Sequence, residues 1–242
     1  MPEFLTFQLA APLGSMGELA VGERRGSWDR PGRSAVLGLV AACLGLERAE
    51  EDAHLALEAG YGLALRVERP GPLLADYHTA QVPPARRGRR FATRAEELAA
   101  PGLNTILSRR DYRIDLLAFA ALWPREPAPP WPLAALAAAM RTPRYAPYLG
   151  RKSCPLMLPL APEVADAPDA VAALTARAAS LMAWARQARV WALLRHDPAV
   201  VTMDAADAAG LPVRRIELRR DRIASRRRWQ FALREEAVLD LP

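Results

Sequence analysis

Tyr148-Leu149-Gly150-Arg151-Lys152-Ser153-Cys154-Pro155 sets two adjacent cations on a glycine turn that a proline closes. Glycine permits positive φ and close backbone approach, Arg151 offers a planar fork of donors, and Lys152 adds a compact point charge, a combination suited to a phosphate. Lys152 is the only lysine among 33 basic residues; arginine takes every other cationic position. An isolated turn of this kind also serves as plain solvated surface, so its meaning depends on the rest of the chain. His78, between Tyr77 and Thr79, is the acid/base candidate. A metal-independent ribonuclease would use such a histidine to deprotonate a ribose 2′-hydroxyl, with Tyr148 or Lys152 stabilising the phosphorane. Packing or hydrogen bonding is the competing role for His78, and ion pairing with Arg109, Arg110 or Arg113 is the plain role for Asp111 and Asp115. His54, His78 and His196 stand at no metal-ligand spacing from one another or from Cys43 and Cys154, so no metal is expected. The sequence carries no Walker loop, no G-x-G-x-x-G and no nucleophile elbow, and no cofactor is expected either.

Charge points the same way as the turn. Pro83 to Arg94 holds Arg86, Arg87, Arg89, Arg90 and Arg94 with no acid, and Arg214 to Arg228 holds eight arginines against Glu217 and Asp221. Since the whole chain carries only +6, everything outside these two runs is net negative, and positive charge concentrated in this way suits a polyanion. Two cysteines in 242 residues argue against a disulfide framework and fit a reducing cytoplasm. Glu3 stands where a signal peptide would be basic, and no apolar run approaches the roughly 20 residues of a membrane span, so a cytoplasmic protein without membrane attachment is expected.

These residues need elements to position them. Phe4 to Ala10 alternates as a half-buried strand. Arg33 or Ser34 starts a helix with Val36, Leu39, Val40, Cys43 and Leu46 on one face; Ser34 is the expected cap, and mid-helix Gly38 implies a close contact with the sheet. Tyr61 to Arg69 and Leu73 to Gln81 read as a hairpin about Pro70-Gly71-Pro72. Val82 to Asn104, rich in Pro, Arg and Gly, reads as a projecting loop or ribbon. Strand periodicity resumes at Tyr112, Ile114 and Leu116, Trp131 to Arg141 reads as a helix with Leu133, Leu136, Ala137 and Met140 inward, and Leu156 to Leu160 reads as a closing strand. The order β, α, β, β, α, β is that of an α+β, ferredoxin-like (RNA-recognition-like) fold over residues 1–160, with an arginine-rich thumb inserted at about 82–105. Such a sheet, covered on one face, would leave the other open for RNA. Residues 161–242 read as a smaller C-terminal α/β extension: an alanine-rich helix from Asp166 to about Arg189, then strands at Val190–Leu194, Val213–Leu218 and Trp229–Leu233.

Five segments, in order, resemble one family: Leu9 to Glu18 (LAAPLGSMGE), Pro31 to Leu46 (PGRSAVLGLVAACLGL), Asp76 to Gln81 (DYHTAQ), Ile106 to Tyr112 (ILSRRDY) and the turn LGRKSCP. The chain is similar to the CasD subunit family of the type I-E CRISPR Cascade complex, within the RAMP superfamily, from about residue 4 to residue 160. Met16 departs from the pattern, where tryptophan is usual after the serine. The resemblance implies a non-catalytic scaffold that holds the 5′ handle of CRISPR guide RNA and caps the backbone filament. Its implied partners are guide RNA, the backbone subunit CasC, the large subunit CasA and, through the complex, target DNA. The residues assigned to RNA on this basis are Arg33, Arg86, Arg87, Arg89, Arg90, Arg109, Arg110, Tyr148, Arg151 and Lys152, with Tyr77 and Tyr112 as further stacking candidates. An endoribonuclease centred on His78 and a general basic RNA-binding module remain the alternatives.

Overall fold

The computed structural model describes residues 1–17, 22–85, 88, 90–190 and 199–241. The first strand, β1 (Glu3–Gly14), runs four residues beyond the expected alternation, sending Leu5, Phe7, Leu9 and Ala11 into one core and Phe4 and Ala10 into another. After a two-residue strand, β2 (Arg24–Arg25), come α1 (Arg33–Leu44) and α2 (Glu51–Gly60), then β3 (Tyr61–Arg69) and β4 (Leu73–Val82). A short α3 (Arg94–Leu98) precedes β5 (Asn104–Pro124), a strand of 21 residues. The rest is α4 (Leu133–Arg141), β6 (Glu163–Asp166), α5 (Ala170–Gln187), β7 (Val200–Asp204), β8 (Val213–Ser225) and β9 (Gln230–Asp240).

Among the described residues these strands form one nine-stranded sheet in the order β6–β1–β5–β3–β7–β9–β8, with β2 and β4 also paired to β5. Every pairing is antiparallel except that of β2 with β5. The expected helix faces hold: Leu133, Leu136, Ala137 and Met140 of α4 are its buried residues, and they join Val36, Leu39, Val40 and Cys43 of α1 over the first core. The expectation of an open sheet face does not hold. Leu117, Phe119 and Ala121 of β5 point away from that core and are covered by Ala173, Leu174, Ala178 and Leu181 of α5. The unbroken apolar run from Leu116 to Leu122 is what a strand buried on both faces requires.

The expected β3–β4 hairpin is also corrected. β3 pairs with the inner half of β5 while β4 pairs with its outer half, from Leu73 opposite Arg113 to Val82 opposite Asn104. Pro70-Gly71-Pro72 therefore steps the chain along β5 instead of reversing it. Gly71 (φ +75°) passes so close to β5 that a Cβ there would lie 1.9 Å from the Ile114 carbonyl oxygen, and the Ile114 N–H donates to Pro72. The outer halves of β4 and β5 form a two-stranded ribbon, mostly exposed, ending at α3, whose Thr93 accepts from the Glu96 N–H as its cap. Leu156 to Leu160 is not a strand, because prolines at 155 and 159 remove donors there; the pairing strand is β6, bound to β1 from Glu3 opposite Asp166 to Thr6 opposite Glu163.

At the other end, β8 and β9 curl over the helices. The α1 cap is Gly32 without a side-chain bond, and the role expected of Ser34 falls to Asp221 of β8, whose carboxylate accepts from the Arg33 N–H at 2.8 Å. Gly38 makes room for the Arg226 guanidinium, 3.1 Å from where a Cβ would stand, and not for the sheet. The alanine-rich helix appears as α5, and the two arginine-bearing strands are longer than expected. All but the first residue of the strand expected at Val190–Leu194 lie outside the described residues, as does His196.

Candidate nucleic-acid interface

Three of the sequence segments that carry the resemblance meet where the ribbon leaves the sheet. Gly150 (φ +88°) lies so tightly on β1 that a Cβ would stand 1.7 Å from the Ser15 carbonyl oxygen, and the Ser15 N–H donates to Leu149. Ser15 Oγ in turn reaches the Asp111 carbonyl at 3.4 Å. The glycine turn is closed from within: the Leu149 N–H donates to the Cys154 carbonyl, the Cys154 N–H donates to the Arg151 carbonyl, and Tyr148 bridges to Pro155. Cys154 is buried, so the turn is rooted. The close approach that the glycine allows is thus to the protein's own backbone, and it fixes the two cations that follow.

Arg151 lies over the Tyr112 ring, its Cζ 4.7 Å from the centroid, and its Nη1 is enclosed with no hydrogen-bond partner. Tyr112 is 8% exposed beneath it, so this ring orients an arginine and is not free to stack on a base. Lys152 is exposed and pairs with no described carboxylate. Tyr148 and Tyr77 are exposed, the latter opposite Arg109 on the ribbon. Met16, where the resemblance departs from its pattern, is a core side chain 2.9 Å from the space a Gly14 Cβ would fill.

The base of the ribbon gathers more cation than its carboxylates neutralise. β2 lays Arg24 beside Arg109 and Arg25 beside Arg110. Asp111, itself 1% exposed, receives Arg24 at 3.3 Å and Arg109 at 3.5 Å, while Arg25 and Arg110 pair with no described carboxylate. Like charges side by side on neighbouring strands cost stability unless an anion sits across them. Arg24 and Arg25 escaped sequence reasoning because a two-residue strand has no period; the signal present was their adjacency to each other. Alternation places Arg109 and Arg110 on opposite faces of β5, with Arg110 on the side of Tyr112 and Arg151.

Arg33 leaves the RNA-binding set. It is 2% exposed, paired with Glu58, donating to the Glu58 and Tyr61 carbonyls, and 3.6 Å from Asp204. It belongs to an internal network in which Arg30, Arg219 and Arg234 share Glu236 and in which Asp221 pairs with Arg234 at 2.6 Å. Burial pushes the Asp221 carboxyl up, but Arg234 outweighs it and holds it below the usual range. The Arg214 to Arg228 run is therefore divided, part of it internal and part facing out. Arg86, Arg87 and Arg89 lie outside the described residues; Arg90 is exposed near the ribbon tip.

His78 projects from β4 with Nδ1 2.7 Å from Asp76, and it lies opposite Ser108. Leu74, opposite Tyr112, is four residues away, a separation of about 13 Å along a strand. His78 is thus set apart along the ribbon from the ring that Arg151 covers.

Comparison with known proteins gives one consistent result. The family model of the CRISPR-associated protein (Cas_Cas5) matches residues 4–235. The "CRISPR system Cascade subunit CasD" of Escherichia coli (strain K12) is 32% identical over 168 residues, 66% of this chain and 70% of that one. Among solved structures, a chain of a "CRISPR RNA-guided surveillance complex" superposes with a TM-score of 0.62 at 22% identity, covering 98% of this chain and 89% of its own. A second, described as "Crystal structure of Cas protein", gives 0.58 at 23% identity, covering 99% and 95%.

Proposed function

This chain belongs to the CRISPR-associated protein (Cas_Cas5) family, and from that premise we propose that it is a non-catalytic, RNA-binding subunit of a type I-E Cascade surveillance complex in antiviral defence. It holds the 5′ handle of the guide RNA and caps the filament, contacting the backbone subunit CasC and the large subunit CasA, and meets target DNA through the complex. The work is cytoplasmic; among the described residues no helix is long and apolar enough to cross a membrane. The observation that carries this reading is the rooted turn. Gly150 on Ser15 and Arg151 on Tyr112 present Lys152, and the neighbouring Arg25 and Arg110 pair with no described carboxylate. A preorganised row of cations over exposed tyrosines suits the phosphates and unpaired bases of a single strand.

The order β6–β1–β5–β3, with α1 and α4 as crossovers, supports a ferredoxin-like core, and because its fourth strand is β6 that core runs past residue 160 to Asp166. The exposed ribbon, whose tip falls within the arginine-rich stretch at about 82–105 of the sequence, supports a thumb lying along the guide or a neighbouring subunit, and the strands after β6 prolong the sheet as the extension. The separation of His78 from Arg151 favours scaffold over nuclease.

Replacing Arg151 and Lys152 together with alanine tests the reading. Two lost phosphate contacts lower the slope of log K against log salt by about 1.4 for single-stranded RNA, with folding spared. A slope equal to wild type would reduce the turn to ordinary surface. Purified protein incubated with repeat RNA without metal is expected to give no specific cleavage, and cutting that His78→Ala abolishes would establish the nuclease instead.

A further inference from the structure

The far end of the β8–β9 hairpin carries a second uncompensated cation site. Its turn places Trp229, 54% exposed, at φ +57°, a conformation rare for a non-glycine residue. Two guanidiniums lie over this one indole: Arg226, with Cζ 4.4 Å from the ring centroid, and Arg48, from the loop between α1 and α2, at 4.6 Å. Arg48 is tied there by donating its Nε–H to the Arg226 carbonyl at 3.2 Å. Neither guanidinium pairs with a described carboxylate. Glu51, the carboxylate that reaches this turn, is occupied by the Arg227 N–H at 2.8 Å and by Ser225. Arg226 is also half-buried, packed against α1 at the position where Gly38 lacks a side chain.

Arg226 lies against Gly38 of α1, and about one helical turn further on the chain that leads into the glycine turn is bound to the same helix, the Arg144 N–H donating to Cys43 at 3.0 Å and the Tyr145 N–H to Ala42 at 3.1 Å. That packing matters for placement, because three residues beyond Tyr145 the exposed Tyr148 opens the glycine turn that carries Arg151 and Lys152. Two basic runs separated by some 75 positions in the sequence are therefore both anchored on α1. Arg227 and Arg228, exposed on the same hairpin turn, extend the positive surface outward.

We propose that Arg226 and Arg48, held over Trp229, form a seat for a phosphodiester of the same RNA strand that Arg151 and Lys152 hold, so that the strand passes Tyr148 from one seat to the other. This rests on the RNA-binding reading above. Two like charges stacked on one ring and partly removed from water form a costly arrangement, and an anion shared between them offsets both the repulsion and the lost hydration. The planar forks suit phosphate oxygens, and the indole fixes them before the ligand arrives, which reduces the ordering cost of binding.

The test compares three proteins by handle-RNA titration at several salt concentrations: Arg48→Ala/Arg226→Ala, Arg151→Ala/Lys152→Ala and Gly38→Ala. Losing the two hairpin contacts is expected to lower the salt slope by about 1.4, or about fivefold in affinity per contact at 0.1 M salt. Gly38→Ala guards against a folding artefact. It keeps every charge, improves helix propensity and sets a methyl 3.1 Å from the Arg226 guanidinium nitrogen, so an unchanged or raised Tm with weaker RNA binding is expected. Reduced slopes in the hairpin double variant and weaker binding by Gly38→Ala support the seat. A wild-type slope in the hairpin variant beside a reduced one in the turn variant overturns this inference and leaves the RNA reading standing. Wild-type slopes in both remove the RNA reading and this inference together. Inorganic pyrophosphate is the second probe. If it raises the Tm of wild type but not of Arg48→Ala/Arg226→Ala, while RNA binding is the same in both, the seat takes a small anion and the RNA assignment is overturned.

Discussion

Gly150→Ala separates two reasons for which a glycine can be required. Gly150 and Gly210 both hold the left-handed conformation, at φ +88° and +79°, but a Cβ at Gly210 meets nothing within 4 Å while one at Gly150 would lie 1.7 Å from the Ser15 oxygen and 2.7 Å from its carbonyl carbon. Gly210→Ala thus carries only the backbone term, about 1–2 kcal/mol. Gly150→Ala carries the same term plus a collision with main chain that no rotamer relieves. To restore ordinary contact the turn must retreat by roughly 1.5 Å, which breaks the 3.0 Å bond from the Ser15 N–H to Leu149. One net hydrogen bond is worth about 1 kcal/mol, so the total is about 2–3 kcal/mol before any loss of packing. For a chain of this length each kcal/mol moves Tm by about 2–4 °C, giving a fall of about 4–12 °C for Gly150→Ala. Retreat also lifts Arg151 from Tyr112, so the salt slope of RNA binding should fall by about 0.7 while Gly210→Ala leaves it unchanged. Thermal melts and salt titrations of the two variants decide it. Equal melting temperatures and equal slopes would refute the docking of the turn on Ser15 and its role in aiming the cations.

Further outcomes follow from the same contacts. Arg33→Ala leaves Glu58 and Asp204 short of their buried counter-charge, so urea unfolding should show a loss of about 3–5 kcal/mol while the salt slope of RNA binding stays at wild type. Replacing residues 83–103 with a short turn should leave the melting temperature nearly unchanged, because the outer ribbon is largely exposed, yet native mass spectrometry of the co-expressed complex should show incomplete assembly. Burial lowers the His54 pKa below its ordinary value, and a depressed folded value gives stability present above about pH 6.5 that is lost as pH falls through the folded pKa. Asp221, also depressed, adds a second loss below about pH 4, so stability measured against pH should fall in two steps, the upper one missing in His54→Gln. Burial raises the Cys43 thiol to about 11, so alkylation of native protein at pH 8 should leave it unmodified until denaturant is added.

Local period made much of the core legible. The face of α4 and the start of α1 followed from apolar spacing, and β3 was readable from Tyr61 to Arg69. What escaped was non-local. Pro70-Gly71-Pro72 signals a bend whether the chain then pairs with the strand just left or slides along a third, and only the length of β5 decides between them. α5 covers a sheet face with alanine, which has too little contrast to announce an inward side. Among the arginines, residue type does not distinguish Arg33 from Arg151. The difference lies in Glu58, Asp204 and Asp221, contributed by three separate elements, against an aromatic ring with no carboxylate beside it among the described residues. The glycine turn was legible as a turn, but what requires its glycine, the Ser15 backbone just beyond β1, is contributed from far away in the sequence.

The length of β5 has a consequence for how sequences of this kind can drift. Its inner half is centred in the sheet and its outer half is one rail of the ribbon, so both are read in a single register. One residue inserted or deleted between Arg110 and Arg113 would exchange the two sides of β5 beyond it, turning Arg109 over and taking it out of register with Tyr77 on β4. Length change in this strand must therefore come in twos, matched on β4, or fall beyond Val82 and Asn104 where pairing has ended. Natural size variation in relatives should accordingly collect at the ribbon tip, with the stretch from Asp111 to Trp123 held to one length.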